Sequence, residues 1–494
     1  MNSYLVSSTK KSSGKTTLTI GLTGIASNLN QNVAVFKKGP DYIDPLWLKQ
    51  ASKNFCYNLD FFTMSDREIL KLFKEKTVNA NVSLTEGNKG LFDGLSISGK
   101  DSNAQLAKLL NLSVILIIDC IGTTRGIAPL LQGYKNFDKK IKYFGVVLNN
   151  IANDRHENKI INSIKEYTDF EIIGSIHKNK ELNIIERHLG LEPTFQNNKS
   201  IEIINKITKI IKNSVDIKKI FKPNPKKKLR GSISKVYTNK KKFRSIRIGV
   251  ALDNAFGFYY PDDIEKIRNY GVSIKFFNTL TDKKLPNVDG LFIGGGFPET
   301  VANKISRNRL LMKEIYNFIE DGKPVYAECG GLMYLCKNIT YNKASYPMVG
   351  IIDAKINMFS KPVGRGYVVL NCSDKHPWPI SKNNINAHEF HYSDIKFFKK
   401  KYKYAYNVKR GHGVNGKSDG ILYKNLVATY SHMRDTRQSL WIENFLSFID
   451  KYKGDRLLNC KKFSDCLIRL PIFPGLDQSS QEKVIEKVYK FFKR

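Results

Sequence analysis

Residues 3–17 read SYLVSSTKKSSGKTT, a short apolar strand, a loop ending in Gly14-Lys15-Thr16-Thr17, and the first turn of the apolar helix TTLTIGLTGIASNL. This segment constrains the fold more than any other. A strand that feeds a loop straight into a helix N-terminus leaves backbone N–H groups converging on an anion, and it needs a helix-covered sheet behind it. The strict phosphate-loop pattern asks for glycine five residues before Gly14; Thr9 stands there, so the match is a variant with an intact core. Lys15 is expected to reach the β- and γ-phosphates of ATP and the Thr16 hydroxyl to bind Mg²⁺. Gly14 and Thr17 complete the cradle, and Lys10 would add a second cation.

The runs NVAVFKKG, NVSLTEG, SVILIIDC and YFGVVLNN are continuously apolar, as parallel strands covered on both faces should be. Alternating with helical stretches, they predict a doubly wound parallel sheet over residues 1–212. Phosphoryl transfer also needs carboxylates for Mg²⁺. KKGPDYIDP supplies Lys37, Asp41 and Asp44 after the second strand, and TEGNKGLFDG supplies Glu86 and Asp93 after the third. Asp and Gly ordinarily just make turns. Two such clusters at strand C-termini, in register with a phosphate loop, point instead to the ligand crevice of such a sheet.

Residues 213–245 are rich in Lys, Pro, Ser and Asn and predict an exposed linker rather than a nucleic-acid arm. A second α/β pattern occupies 246–453 and an appendage 454–494. In PVYAECGGLMYL, Cys329 follows an apolar strand and precedes a helix, the layout of a nucleophile elbow. Gly330 and Gly331 let N–H groups approach an oxyanion, and the helix N-terminus is expected to lower the thiol pKa. His432, after a strand in ATYSHM, is the expected base; His388 and His391 flank Glu389 at a spacing open to metal ligation, but no further ligand accompanies them. His156, His188, His376 and His412 are expected to be surface or structural.

Two domains suit 494 residues. The 81 Lys+Arg against 45 Asp+Glu give +36, but the lysines are spread along the chain and no nucleic-acid module appears; the excess suits polyanionic substrates. Seven irregularly spaced Cys predict reduced thiols. No apolar run long enough for a membrane span and no signal-peptide pattern occur, so a cytoplasmic protein is expected.

With these motifs in place, SSGKTT, KKGPDYIDP, EGNKGLFDG, NAQLAKLL, GVVLNN and ERHLGL, followed by FGFYYPDD, GLFIGGGFPE, AECGGLMYL and ATYSH, resemble the cobyrinic acid a,c-diamide synthase family over roughly residues 1–450. The resemblance implies a dethiobiotin-synthetase-like nucleotide-binding domain fused to a class I-type glutamine amidotransferase domain. It implies amidation of tetrapyrrole acetate side chains with ATP, Mg²⁺ and L-glutamine. By matched position, Lys15 and Thr16 would hold ATP and Mg²⁺ and Glu86 a metal. Asp41, Asp44 and Asp93 would serve Mg²⁺ and a phosphorylated intermediate, and Gly295, Gly296 and Gly330 an oxyanion. The His388–His391 segment would lie near the substrate side. Many amidotransferases of this class carry an acidic residue two positions after the histidine; Arg434 stands there, which implies a Cys329–His432 dyad.

Asn88-Lys89, SGKDSNAQLAKLL and GTTRGIAPLLQGY depart from the usual pattern and are similar to a branch thought to amidate sirohaem, which stands as the alternative to cobyrinate. The tail FSDCLIRLPIFPGLDQSSQEKVIEKVYKFFKR resembles the end of sugar aminotransferases. It predicts a strand-like stretch and a helix packing through Val484, Val488, Phe491 and Phe492, without a catalytic role. A homodimer is left open as the assembly. A phosphate-loop ATPase switch of the partition-protein type is the competing class; it would not need Cys329 or His432.

Overall fold

The computed structural model describes residues 1–182, 186–187, 190–191, 198–222, 242–379, 381, 383–465 and 477–492. The first unit is built on strands β1 (Asn2–Ser8), β2 (Val33–Lys38), β3 (Cys56–Leu59), β4 (Val82–Glu86), β5 (Ser113–Asp119), β6 (Tyr143–Ile151) and β7 (Ile172–His177). They form one parallel sheet in the order β3-β2-β4-β1-β5-β6-β7. β2 and β4 are buried at every position, which is why their sequences do not alternate. β4 lies between β2 and β1, so the loops leaving the C-terminal ends of all three strands are neighbours. The phosphate loop, the Asp41–Asp44 loop and Glu86 belong to those three ends.

Helix α1 (Lys15–Asn28) covers one face together with the helix Asn198–Ser214. The first unit does not stop at residue 212. A short helix, Ile217–Ile220, is capped by Asp216, and Tyr4 OH donates to the Ile220 carbonyl at 2.8 Å. On the other side Phe243 and Ile246 are buried in the second unit. Both ends of the expected linker are therefore packed, while residues 223–241 lie outside the described residues, as do His188 and Leu189 of ERHLGL.

The second unit is also α/β, but only half of its nine-stranded sheet is parallel. Ser273–Phe277, Arg247–Ala251, Gly290–Ile293, Val325–Glu328 and Leu426–Thr429 run parallel in that order. Ser418–Tyr423, Lys403–Arg410, Gly364–Cys372 and Ile385–His391 then extend the sheet antiparallel. The helix Trp441–Asp465 packs Trp441, Phe445 and Ile449 into the core and runs unbroken through residue 453, where the appendage was expected to begin. The expected strand-like stretch falls largely on residues 466–476, outside the described residues. The helix Gln478–Phe492 exists; Val484 and Val488 are half-buried while Ile485 and Tyr489 are exposed, and the side chains of Phe491 and Phe492 are not among those described. No helix of the described residues is long and apolar enough to cross a membrane, and Cys56, Cys120, Cys329, Cys336 and Cys372 form no disulfide.

Candidate active site

In the phosphate half, Gly14 sits at the start of α1 with φ +97°, a left-handed turn that glycine takes without strain. Asn149 on β6 donates to the Ser13 carbonyl at 2.9 Å and pins the loop from behind. Lys15 is buried and donates to Ser8 Oγ at 2.9 Å; burial, followed by the charge of Lys37, pushes its pKa down to about 8. Thr16 Oγ1 donates to Glu86 Oε1 at 2.6 Å, and Lys37 Nζ reaches the same oxygen at 2.8 Å, Asp44 at 2.5 Å and Asp41 at 3.9 Å. Burial opposes the Lys37 charge, but the three carboxylates outweigh it and hold its pKa well above the ordinary lysine value. Burial and the nearby Asp44 raise Asp41 to about 7.

Glu86 is fully buried, and its second oxygen, Oε2, has no hydrogen-bond partner. A buried carboxylate oxygen left over on the residue that also holds the Thr16 hydroxyl is the kind of donor a hard divalent cation takes, so Glu86 and Thr16 could hold Mg²⁺.

Not every expected residue joins this cluster. Lys10 is exposed and ion-pairs with Asp119 at 2.9 Å, at the end of β5. Thr17 is half-buried, and Asp93 is exposed, its carboxylate accepting from the Gly90 N–H at 2.9 Å. Residues to which the sequence assigns no role hold the loops. Asn103 donates to the Asn88 and Gly90 carbonyls and to Ser7 Oγ. Asn58 donates to the carbonyls of Gly39, at 2.8 Å, and Asp41, at 2.7 Å. Buried Lys38 donates to Asn88 Oδ1 at 3.1 Å. Each of these partners is distant in sequence, and no local pattern announces it.

In the ammonia half, Cys329 links the strand Val325–Glu328 to the helix Gly330–Leu335 at φ +46°, ψ −101°. A left-handed non-glycine residue at this turn is the strained elbow that the sequence predicts. The thiol differs from expectation. Burial, and then the charge of Glu299, push its pKa up rather than down. The following helix has only six residues, too few to offset burial and the neighbouring negative charge. Gly330 packs on Gly296, where a Cβ would come within 3.0 Å of the Gly296 nitrogen; a Cβ on Gly295 would lie 2.3 Å from His432 Cε1. Only glycine at 295 leaves room for that ring.

His432 is buried, with Nδ1 lacking a hydrogen-bond partner and lying 3.6 Å from Glu328 Oε2. Its ring stacks on His388 at 4.9 Å. Burial, then His432 and Arg434, drive the pKa of His388 well below the usual value. His391 turns to other partners, the Ser393 carbonyl at 2.9 Å and the Tyr430 ring. Among the described residues no third ligand gathers around this pair. His376 is held by Tyr406 OH and His156 by the Thr123 carbonyl, both structural. Arg434 is wholly buried and donates to the Asn58 carbonyl and to Asp262, both at 2.8 Å.

The two halves meet. Tyr42, between Asp41 and Asp44, lies against Phe258 at 5.3 Å, His432 at 5.1 Å, Tyr260 and His388. Around that contact, Tyr367 OH donates to Asp60 at 2.6 Å and Tyr57 OH to Glu265 at 2.5 Å.

Residues 4–191 match the family described as the CobQ/CobB/MinD/ParA nucleotide binding domain, and residues 247–438 the family described as the CobB/CobQ-like glutamine amidotransferase domain. The chain is 38% identical over 438 residues to the cobyrinate a,c-diamide synthase of Magnetococcus marinus, covering 87% of this chain and 93% of that one. It is 35% identical over 432 residues to the cobyrinate a,c-diamide synthase of Archaeoglobus fulgidus, with 87% and 93% covered.

Proposed function

The chain belongs to the cobyrinate a,c-diamide synthase family, glutamine-dependent amide-forming ligases, and on that footing we propose that it amidates the a- and c-acetate side chains of cobyrinate through an acyl phosphate. The γ-phosphoryl group of ATP passes to a side-chain carboxylate and ADP leaves. Ammonia then adds to the acyl carbon, phosphate departs and a proton is lost. Lys15 lies where it neutralises the transferring phosphates, and the Asn149-pinned loop presents N–H groups to them. Mg²⁺, when bound, neutralises further phosphate charge; Thr16, Asp41 and Glu86 would hold it.

On the other side His432 takes the Cys329 proton and the thiolate attacks the glutamine side-chain amide. Backbone N–H groups at Gly295, Gly296 and Gly330 face the oxyanion. Ammonia leaves with the proton from His432, and water releases glutamate from the thioester.

The observation that carries this reading is the contact of Tyr42 with His432. A residue flanked by the two aspartates of the activation loop rests on the base of the ammonia site, so the two chemistries share a wall. A switch ATPase of the partition type has no use for that arrangement.

The test offers Cys329→Ser protein ATP and cobyrinate with either glutamine or ammonium, following mass gain. Glutamine-driven amidation should vanish and ammonium-driven amidation persist. Amidation driven by glutamine without the thiol would overturn the assignment. Adding hydrogenobyrinate, sirohaem and nickel-sirohydrochlorin to the panel tests the substrate: sirohaem amidated in preference to cobyrinate would move the reading to that tetrapyrrole.

A further inference from the structure

Glu328 is the last residue of its strand and immediately precedes Cys329. Its side chain is buried, and its two oxygens face different things. Oε1 accepts from Tyr326 OH and from the Met433 N–H, each at 2.9 Å, which clamps the backbone next to His432. Oε2 lies 3.6 Å from His432 Nδ1, a buried nitrogen with no hydrogen-bond partner. A buried nitrogen left without a partner is destabilising, and the Glu328 carboxylate faces it.

The other groups around the ring do not compete. His388 stacks on it and turns its own Nδ1 to Tyr260 OH; Tyr42 presents a ring face. Asp262 is engaged by Arg434, Asp263 by Trp441 and the Asp435 N–H, and Asp435 by Lys266. Asp419 accepts from Thr429, Ser431 and the Tyr430 N–H. Glu299 bears on the Cys329 thiol. Arg434, two positions after His432, turns instead to Asn58 of the first unit.

We propose that Glu328 is the positioning residue of the ammonia site, orienting His432 through Nδ1 and stabilising the imidazolium formed when Cys329 gives up its proton. The carboxylate then comes from the residue before the nucleophile rather than from one after the histidine. With Nδ1–H directed at Glu328, the tautomer is fixed and Nε2 is left to accept the thiol proton. This inference rests on the glutaminase reading above and deepens it.

A purely structural role for Glu328 is the clamp on Met433 and Tyr326, and Glu328→Gln separates the two roles. The amide oxygen still accepts both of those hydrogen bonds, but the charge facing Nδ1 is gone. With full-length protein, glutamine hydrolysis should fall about 10²-fold in kcat, the size of a general-base contribution, while ammonium-driven amidation is unchanged. KM for glutamine should stay at its wild-type value, because substrate binding is untouched and only the proton transfer is slowed. Wild-type kcat, or a loss carried by KM alone, overturns the proposal.

Ammonium-driven amidation reports folding. If Glu328→Gln loses it, Glu328→Asp decides: it keeps the charge but draws it back from the ring, and it must show the same selective loss on the glutamine side or the proposal falls. Cys329→Ser runs alongside. If that variant keeps glutamine-driven activity, the glutaminase reading itself fails; if it is dead and Glu328→Gln is normal, only the role of Glu328 fails.

Discussion

Lys37 in the phosphate half stands among three carboxylates, whereas His432 in the ammonia half stands among aromatic rings with a single carboxylate in reach. The first arrangement is a balance of charges, and it suits a site whose task is to receive phosphates and a cation and release them. The second is a steric mould. A ring fills the space that Gly295 leaves, the nucleophile is held in a strained turn, and the charge is kept to one side. The difference teaches that the two halves should fail in different ways. One fails when a charge is removed; the other fails also when an atom is added.

The largest expected effect breaks the comparison cleanly. Lys15→Ala removes the cation facing the phosphates, so amidation should fall about 10³-fold with either nitrogen donor, while glutamine hydrolysis by itself continues. Gly295→Ala puts a methyl group where His432 Cε1 now lies. Displacing the base by an ångström should cost glutamine-driven amidation about 10²-fold and leave the ammonium-driven rate alone. If both variants lose both activities equally, the halves are not the separable sites described here.

How much of each half was legible follows the same line. Gly14-Lys15-Thr16, Lys37, Asp41, Asp44 and Glu86 announce themselves because phosphate chemistry needs those residue types at strand ends, and strand ends can be found from apolar runs. Cys329 announces itself through its strand-turn-helix setting. What the sequence hides is contact across the chain. Tyr42 reads as one more aromatic residue in a turn until the second unit closes on it. Asn103 and Asn149 are loop anchors that act on residues a dozen to more than a hundred positions away. β3, four residues long, has too few positions to show a period. The antiparallel half of the second sheet was invisible for the same reason that register is: pairing is non-local. The Cys329 thiol departs from what its sequence setting implies because burial, the largest influence on it, depends on the whole second unit.

A smaller effect sharpens the charge side of the comparison. In the free protein the Lys15 pKa is pushed down to about 8 by burial and Lys37. The protonated form attracts phosphates, so kcat/KM for ATP should be level below pH about 8 and fall tenfold per unit above it. At saturating ATP the bound phosphates favour the protonated lysine, and kcat should hold to higher pH. A profile of kcat/KM that stays level well above 8 would show that Lys15 keeps its proton without the nucleotide. The ammonia half, measured as glutamine hydrolysis without ATP, should lack this limb.

The smallest effect concerns the border between the two halves. Glu265 accepts from the OH of buried Tyr57 at 2.5 Å and pairs with Lys76, the two charges lying at the edge of the contact between units and partly open to water. The centre of the same contact is different: Arg434 is wholly buried and reaches the Asn58 carbonyl, and Asn58 in turn holds the Asp41 carbonyl, so the base-bearing loop and the activation loop are joined by two hydrogen bonds. Charges at a wet edge are screened and typically contribute less than about 1 kcal/mol. Glu265→Ala should therefore lower stability by no more than that in urea denaturation and leave the ratio of glutamine hydrolysed to amide formed at its wild-type value. A loss well above that figure, or a rise in the ratio, would mean that the alignment of the two halves is set at the edge and not through Arg434 and Tyr42.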